Sequence, residues 1–222
     1  MNHSIDYEYG GGDSLFRRWE AGEATALPAP LATRSGWYRK VILGLARHYC
    51  SKPGASLISL GAGNGFAERE LAHAGFNVLA TDISLDALAF CRAKGLATRH
   101  LDLSLPLPPD LAAMDIAYAD GLLGHLLVDP DAGAGIWAAL ADMVQPGGIC
   151  LLSNDLADTD LVANLGVAAD PNALFLRPPS GWFSEQAVLS GRWSFVWSRV
   201  LTYRRPGRGL RRRELLVLSR DY

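Results

Sequence analysis

The stretch Leu60-Gly61-Ala62-Gly63-Asn64-Gly65 can do chemistry with its backbone alone. Glycine carries no Cβ and tolerates positive φ, so such a turn can bend closely beneath a ligand. An apolar run at 56–60 precedes it and reads as a buried strand; residues 66–72 follow and read as a helix. A second apolar run, 77–81, reads as another strand and ends at Asp82, an acid placed to accept hydrogen bonds from ribose hydroxyls. A dinucleotide fingerprint puts its third glycine one residue later, where this chain has Phe66. A bulky side chain there argues against a pyrophosphate and for an adenosyl ligand without phosphates. Two residues could move a proton. His125, just after the turn of a probable fourth strand, could be a base or could fix its own loop by bonding backbone. Asp120, at that turn, could be a base, could anchor an acceptor amine, or could cap the next helix. Tyr7, Tyr9, Trp19 and Trp182 could line an acceptor pocket and face a cation, or could simply pack.

Positioning these residues requires a repeated strand–helix alternation. Strands are expected at 56–60, 77–81, 97–100, 116–119 and 148–153. Such alternation builds a parallel sheet with helices on both faces. Right-handed crossovers then align the strand carboxyl ends, and Gly61, Asp82, Asp102 and Ala119 all fall on that one edge, where open α/β sheets bind ligands. Residues 193–203 and 213–218 alternate and read as a terminal antiparallel hairpin. Residues 34–48 have helical periodicity, with Trp37, Val41 and Leu45 on one stripe. Residues 1–33 divide from 34–222 by their Gly, Pro and Ala content. Their aromatics suit a lid over the ligand, the alternative being a poorly ordered arm.

Taken in order, these features resemble the class I S-adenosylmethionine-dependent methyltransferases, whose first motif has this glycine spacing after a strand. The resemblance covers 34–154, with looser agreement to the end. It implies an α/β, Rossmann-like, doubly wound, mostly parallel seven-stranded sheet with a C-terminal antiparallel hairpin. It implies S-adenosyl-L-methionine as cofactor, S-adenosyl-L-homocysteine as product, and no metal. Carried onto this chain, the cofactor contacts are Gly61, Ala62 and Gly63 in the bend, Asp82 with Ile83, Asp102 at the adenine amino group with Leu103 on the ring, and Ala119 at the fourth strand end. Segment 34–48 locally resembles glycine N-methyltransferase-like enzymes. That likeness puts Arg34 on the cofactor's carboxylate, which a guanidinium grips bidentately; the alternative is a solvated helix-start arginine. The chain departs from the family at Ser59, where an acid usually meets the cofactor's ammonium group. A hydroxyl supplies no charge, and charge-assisted bonds are roughly twice as strong as neutral ones. The implied activity is methyl transfer to a nitrogen, or less favourably an oxygen, of a small and specialised metabolite. A non-catalytic cofactor-binding relative and a macromolecule methyltransferase are the alternatives.

Composition narrows the partners. A hydrophobic fraction of 49% with 20% charged residues is that of a soluble globular chain. A net charge of -2 gives no general pull towards nucleic acid. The turn 119–122 also lacks the Asn/Asp-Pro-Pro-aromatic motif of base methylators. The arginines at 204, 205, 208 and 211–213 surround a Pro-Gly turn. They read as a solvated charged hairpin, or more sharply as a seat for an anionic partner. Cys50, Cys91 and Cys150 are far apart, which argues against a metal site or disulfide framework and for small buried hydrophobes. The N-terminus has no apolar signal core, and no run approaches the roughly 20 residues that span a bilayer. The expectation is a cytoplasmic monomer or homodimer that does not meet membranes.

Overall fold

The computed structural model describes residues 8–9, 13–23, 29–127, 133–157, 176–206 and 209–222. A two-stranded antiparallel ribbon, β1 (Glu8–Tyr9) and β2 (Asp13–Ser14), leads into the short helix α1 (Leu15–Glu20). The helices α2 (Leu31–Arg34) and α3 (Gly36–Tyr49) follow. Then come β3 (Ser56–Leu60), α4 (Phe66–His73), β4 (Asn77–Asp82), α5 (Leu85–Ala93), β5 (Ala97–His100) and β6 (Met114–Asp120). The chain continues through α6 (Leu123–Leu126), α7 (Gly133–Asp142), β7 (Val144–Asp155), α8 (Trp182–Leu189), β8 (Trp193–Arg205) and β9 (Gly209–Arg220).

The main sheet has seven strands in the order β5-β4-β3-β6-β7-β9-β8. The first five are mutually parallel, and β9 runs antiparallel to both of its neighbours. Successive strands therefore diverge to either side of the β3–β6 boundary. This switch in strand order opens a crevice at the carboxyl edge. The observed strands β6 and β7 are longer than the 116–119 and 148–153 expected from sequence. Pro146-Gly147-Gly148 does not start the strand but lies inside it, where the register with β6 jumps from Met114↔Val144 to Ile116↔Ile149.

Alternate strand residues divide between two cores, as period-2 geometry requires. Leu57, Ile116, Tyr118, Leu151, Leu215 and Val217 pack beneath α3 and α4. Ile58, Ala117, Cys150, Leu152, Leu216 and Leu218 face Leu123, Trp137, Leu140 and Phe183 on the opposite side. The buried stripe of α3 is Tyr38, Ile42 and Ala46, one position beyond the stripe read from sequence; Trp37 is 60% exposed. The tryptophan's size points to the wrong register, because Tyr38 has a hydroxyl able to end in the polar layer described below. All three cysteines are free, Cys91 and Cys150 buried and Cys50 half-buried. Among the described residues, no helix is long and apolar enough to cross a membrane.

Candidate functional site

The glycine bend forms as its composition dictates. Gly61, Gly63 and Gly65 have φ of 64°, 55° and 73°, values that side chains rarely adopt. The bend is held from the neighbouring strand: Ala62 N donates to Thr81 O at 2.9 Å, and Gly63 N donates to the Asp82 carboxylate at 2.9 Å. Asp82 also accepts from Ser84 N at 2.8 Å, so it organises two turns at once. Burial raises its pKa against the pull of those bonds. Gly65 serves packing rather than ligand approach, since a Cβ there would lie 2.8 Å from Cys91 Sγ. The Phe66 ring lies under Lys94, Arg69 and Arg39, at 4.5, 5.7 and 5.7 Å from its centroid. The ring is taken up by cation–π packing.

The other expected cofactor residues share one edge because the strand ends are level: Leu60 pairs with Thr81 and Ala119, and Asp82 with His100. Ile83 is 47% exposed beside Asp82. Asp102 folds its own loop, accepting from Ser104 N at 2.9 Å and Ser104 Oγ at 2.7 Å, and Leu103 is half-buried next to it. Ala119 is buried. On the open side of this edge, α1 is clamped across the bend. Asn64 Nδ2 donates to Phe16 O at 3.0 Å and to Glu20 at 2.7 Å; Lys94 donates to Glu20 at 2.6 Å, and Arg17 pairs with Asp86.

A buried polar layer runs beneath the same edge on the α3–α4 side, and most of it is not legible in the sequence. Ser59 Oγ donates to Glu68 Oε1 at 2.7 Å, so this serine is committed to an internal acid. Burial pushes the Glu68 carboxyl up to about 7. Further along, Asp120 Oδ1 accepts from Arg213 at 2.5 Å, from Ser153 Oγ at 3.0 Å and from Tyr38 OH at 3.2 Å. Arg213 also donates to Asp155 at 2.7 Å, and Asp155 accepts from Tyr203 OH at 2.9 Å. Asp120 makes no cap for α6, and its Oδ1 is drawn inward by a buried guanidinium while its Oδ2 has no partner. Arg213 itself is 6% exposed and corrects the reading of the arginine cluster as wholly solvated. Its phase gave the signal: it lies two residues before Leu215, on the inward face of β9. Arg208 lies outside the described residues. Arg34 is placed at β8, four strands from the bend. It donates to Arg204 O at 3.0 Å with its guanidinium 5.6 Å from the Tyr203 ring centre. Arg34 also lies within electrostatic reach of Arg213 and Asp155 in the polar layer.

Next to the end of β6, α6, the tip of β7 and the start of α8 form a wall. Gly124 N donates to Asn154 at 3.0 Å and Leu176 N to Gly124 O at 2.6 Å. Glu214 accepts from Ser180 Oγ at 2.9 Å and from Gly181 N. Between them lies a gap of about 10 Å³, room for one water at most, lined by Leu123, Ser153, Asn154, Phe183 and Glu214. His125 is half-buried in α6. Trp182 opens α8, its ring edge-on to Phe183 at 5.2 Å, and Trp19 is edge-on to Phe16 at 5.5 Å. Tyr9 lies on β1, and Tyr7 lies outside the described residues. Among the described residues, no group of His, Cys, Asp and Glu is arranged to hold a metal ion.

Residues 58–152 match the family model for a methyltransferase domain. A tabtoxin biosynthesis enzyme from Pseudomonas amygdali pv. tabaci is 32% identical over 239 residues, spanning 98% of this chain and 90% of that protein. The chain belongs to the class I S-adenosylmethionine-dependent methyltransferases. Solved structures of this methyltransferase fold agree. The Burkholderia thailandensis 1,6-didemethyltoxoflavin-N1-methyltransferase, with 1,6-didemethyltoxoflavin and S-adenosylhomocysteine bound, superposes with a TM-score of 0.65 at 17% identity, over 93% of this chain and 85% of that one. The Synechocystis PCC 6803 magnesium protoporphyrin IX methyltransferase, with S-adenosylhomocysteine bound, gives 0.64 at 16% identity, over 83% and 82%. For this methyltransferase the cofactor is S-adenosylmethionine, and the edge suits it. Gly61 is exposed and bare of side chain, an acid stands at the second strand's tip, and Tyr118 OH and Asp120 Oδ2 are buried below without a partner.

Proposed function

We propose that the protein transfers the methyl group of S-adenosylmethionine to a nitrogen of a small molecule in specialised metabolism. The observation that carries this is the carboxyl edge of the sheet, where the bare glycine bend is tied to Asp82 and α6 stands beside the tip of β7. The likeness to a tabtoxin biosynthesis enzyme supports the metabolic setting. When bound, the cofactor supplies a methyl group already activated on a sulfonium. The chain's task is to hold two reactants in line and keep water out, an arrangement that can lower a barrier by roughly 7–11 kcal/mol.

In this proposal Asp82 holds the ribose hydroxyls, Ile83 and Leu103 flank the adenine, and Asp102 takes its amino group. The backbone of Gly61, Ala62 and Gly63 passes under the sulfur, and Ala119 backs the reacting end. Residues 1–33 act as the lid over the domain 34–222, with α1 closing the bend. Trp19 and Trp182 frame the acceptor. His125 is the base. An amine needs only to shed one proton to expose its lone pair, and a histidine suffices for that. A hydroxyl holds its proton more tightly, and Asp120, the other candidate base, is held by Arg213.

Incubating the protein with a metabolite extract and deuteromethyl cofactor, followed by mass spectrometry, tests the reading. One labelled small product supports it. Label recovered only in RNA or protein, or nowhere, would reject it.

A further inference from the structure

We propose that Glu68, carried on the first turn of α4, is the carboxylate that takes the α-ammonium group of the cofactor. This rests on the cofactor reading above and assigns to the helix what the strand tip lacks.

Glu68 is 4% exposed, and its carboxylate is bonded by the Ser59 hydroxyl. Among the described residues no cation pairs with it, and its charged neighbours include the acids Asp82 and Asp120. A buried carboxylate without a cation is costly and is retained where something completes it. Two further atoms in the same layer are incomplete: Tyr118 OH and Asp120 Oδ2 are wholly buried and bonded to nothing. Tyr118 is the cross-strand partner of Ser59, so its ring stands beside the hydroxyl that orients Glu68. The missing group must bring positive N–H donors to the acids and an acceptor to the phenol. An α-amino acid end has both. A ligand whose adenosyl half follows Asp82 and the bend delivers that end here, because Glu68 lies only three residues beyond Gly65. Ser59 then acts as a positioning residue, holding the carboxylate that does the binding.

The groups facing Glu68 are Asp82 from β4, Tyr118 and Asp120 from β6, and Cys91 from α5, with Tyr38 and Arg213 beyond Asp120. Burial and these acids hold its carboxyl at about 7. An incoming ammonium therefore displaces a proton when it binds near neutral pH.

Calorimetry on the full chain reads this directly, using S-adenosylhomocysteine and its analogue lacking the α-amino group. The wild type is expected to prefer the amino form by about 10- to 100-fold, the range of a hydrogen bond to a charged group. Below pH about 7 its affinity should fall about tenfold per unit, and its binding enthalpy should vary with the buffer's ionisation heat. Glu68→Gln should lose the preference and the pH slope while keeping its affinity for the desamino analogue. Adding Ser59→Asp to that variant should restore much of the preference. Equal affinity of the wild type for both ligands at pH 6 and pH 8 overturns the assignment without needing any variant, and leaves the cofactor reading standing. Equal loss of both ligands in Glu68→Gln also overturns it, since that is a structural effect. A wild type that binds neither ligand removes both readings together.

Discussion

At the scale of single residues, the site is built by what glycine and aspartate do to a backbone. Asp82 joins the two turns of the edge, so its removal acts twice: the proposed ribose contact goes, and the Gly63 amide loses its acceptor. We expect Asp82→Ala to weaken S-adenosylhomocysteine binding by about 1–3 kcal/mol, measured by calorimetry; unchanged affinity would reject the ribose placement. Gly65 carries a different load. Its φ is 73°, and a side chain there would meet Cys91 and Leu96 at 2.8 and 3.1 Å. Gly65→Ala should cost about 1–3 kcal/mol in a denaturant melt through strain and overpacking. The third glycine is therefore a requirement of helix packing, and its position in the motif reports on α5 as much as on a ligand.

At the scale of elements, α1 behaves as a short strap with several polar fastenings. Glu20 carries two of them, to Asn64 in the bend and to Lys94 at the end of α5. Lys94 is itself almost covered, its ammonium over the rings of Phe66 and Phe90. Truncating Glu20 frees the strap at both points while touching little of the sheet. Glu20→Ala should raise hydrogen exchange along 15–20 and speed dissociation of S-adenosylhomocysteine several-fold, with a far smaller change in the global melt. If exchange in that segment stays at the wild-type rate, the strap is held by its apolar side, where Leu15 and Phe16 are buried.

At the scale of the whole molecule, the polar layer ties β6, β7 and β9 to one another and to α3. Arg213 holds Asp120 of β6 and Asp155 of β7, and Tyr38 reaches in from α3. Arg213→Ala leaves buried Asp120 without its cation and Asp155 with only the longer contact to Arg205, and should cost about 3–5 kcal/mol in urea. The layer also sets how the ligand-free protein responds to pH. Glu68 titrates at about 7 in the folded chain against 4.5 as its ordinary value. The folded state then binds more protons than the unfolded one between those values, so stability falls as pH rises through that window. Asp82 and Asp120, also raised, add in the same sense. Asp86 and Asp115 are lowered and act oppositely, at more acid pH. The expected loss from Glu68 is about 2–4 kcal/mol across its own window. Glu68→Gln should abolish it, melting above the wild type at pH 8; a flat profile in the wild type would show the carboxyl ionised throughout.

The alternation of apolar runs with glycine and aspartate punctuation was enough to place the five parallel strands, the terminal hairpin and the edge carrying Gly61, Asp82, Asp102 and Ala119. These are local signals, readable because strand, turn and helix chemistry each leave a mark within a few residues. The polar layer left no such mark. Glu68 looks like any acid in a helix's first turn, and Arg213 like one more arginine beside a hairpin. Only the crossing of α4 over β3 shows that Glu68 meets Ser59, and only the pairing of β9 with β7 shows that Arg213 turns inward to Asp120. Burial and partnership depend on which distant segments come together, and that is settled by the packing of helices on the sheet rather than by the spacing of residues along the chain.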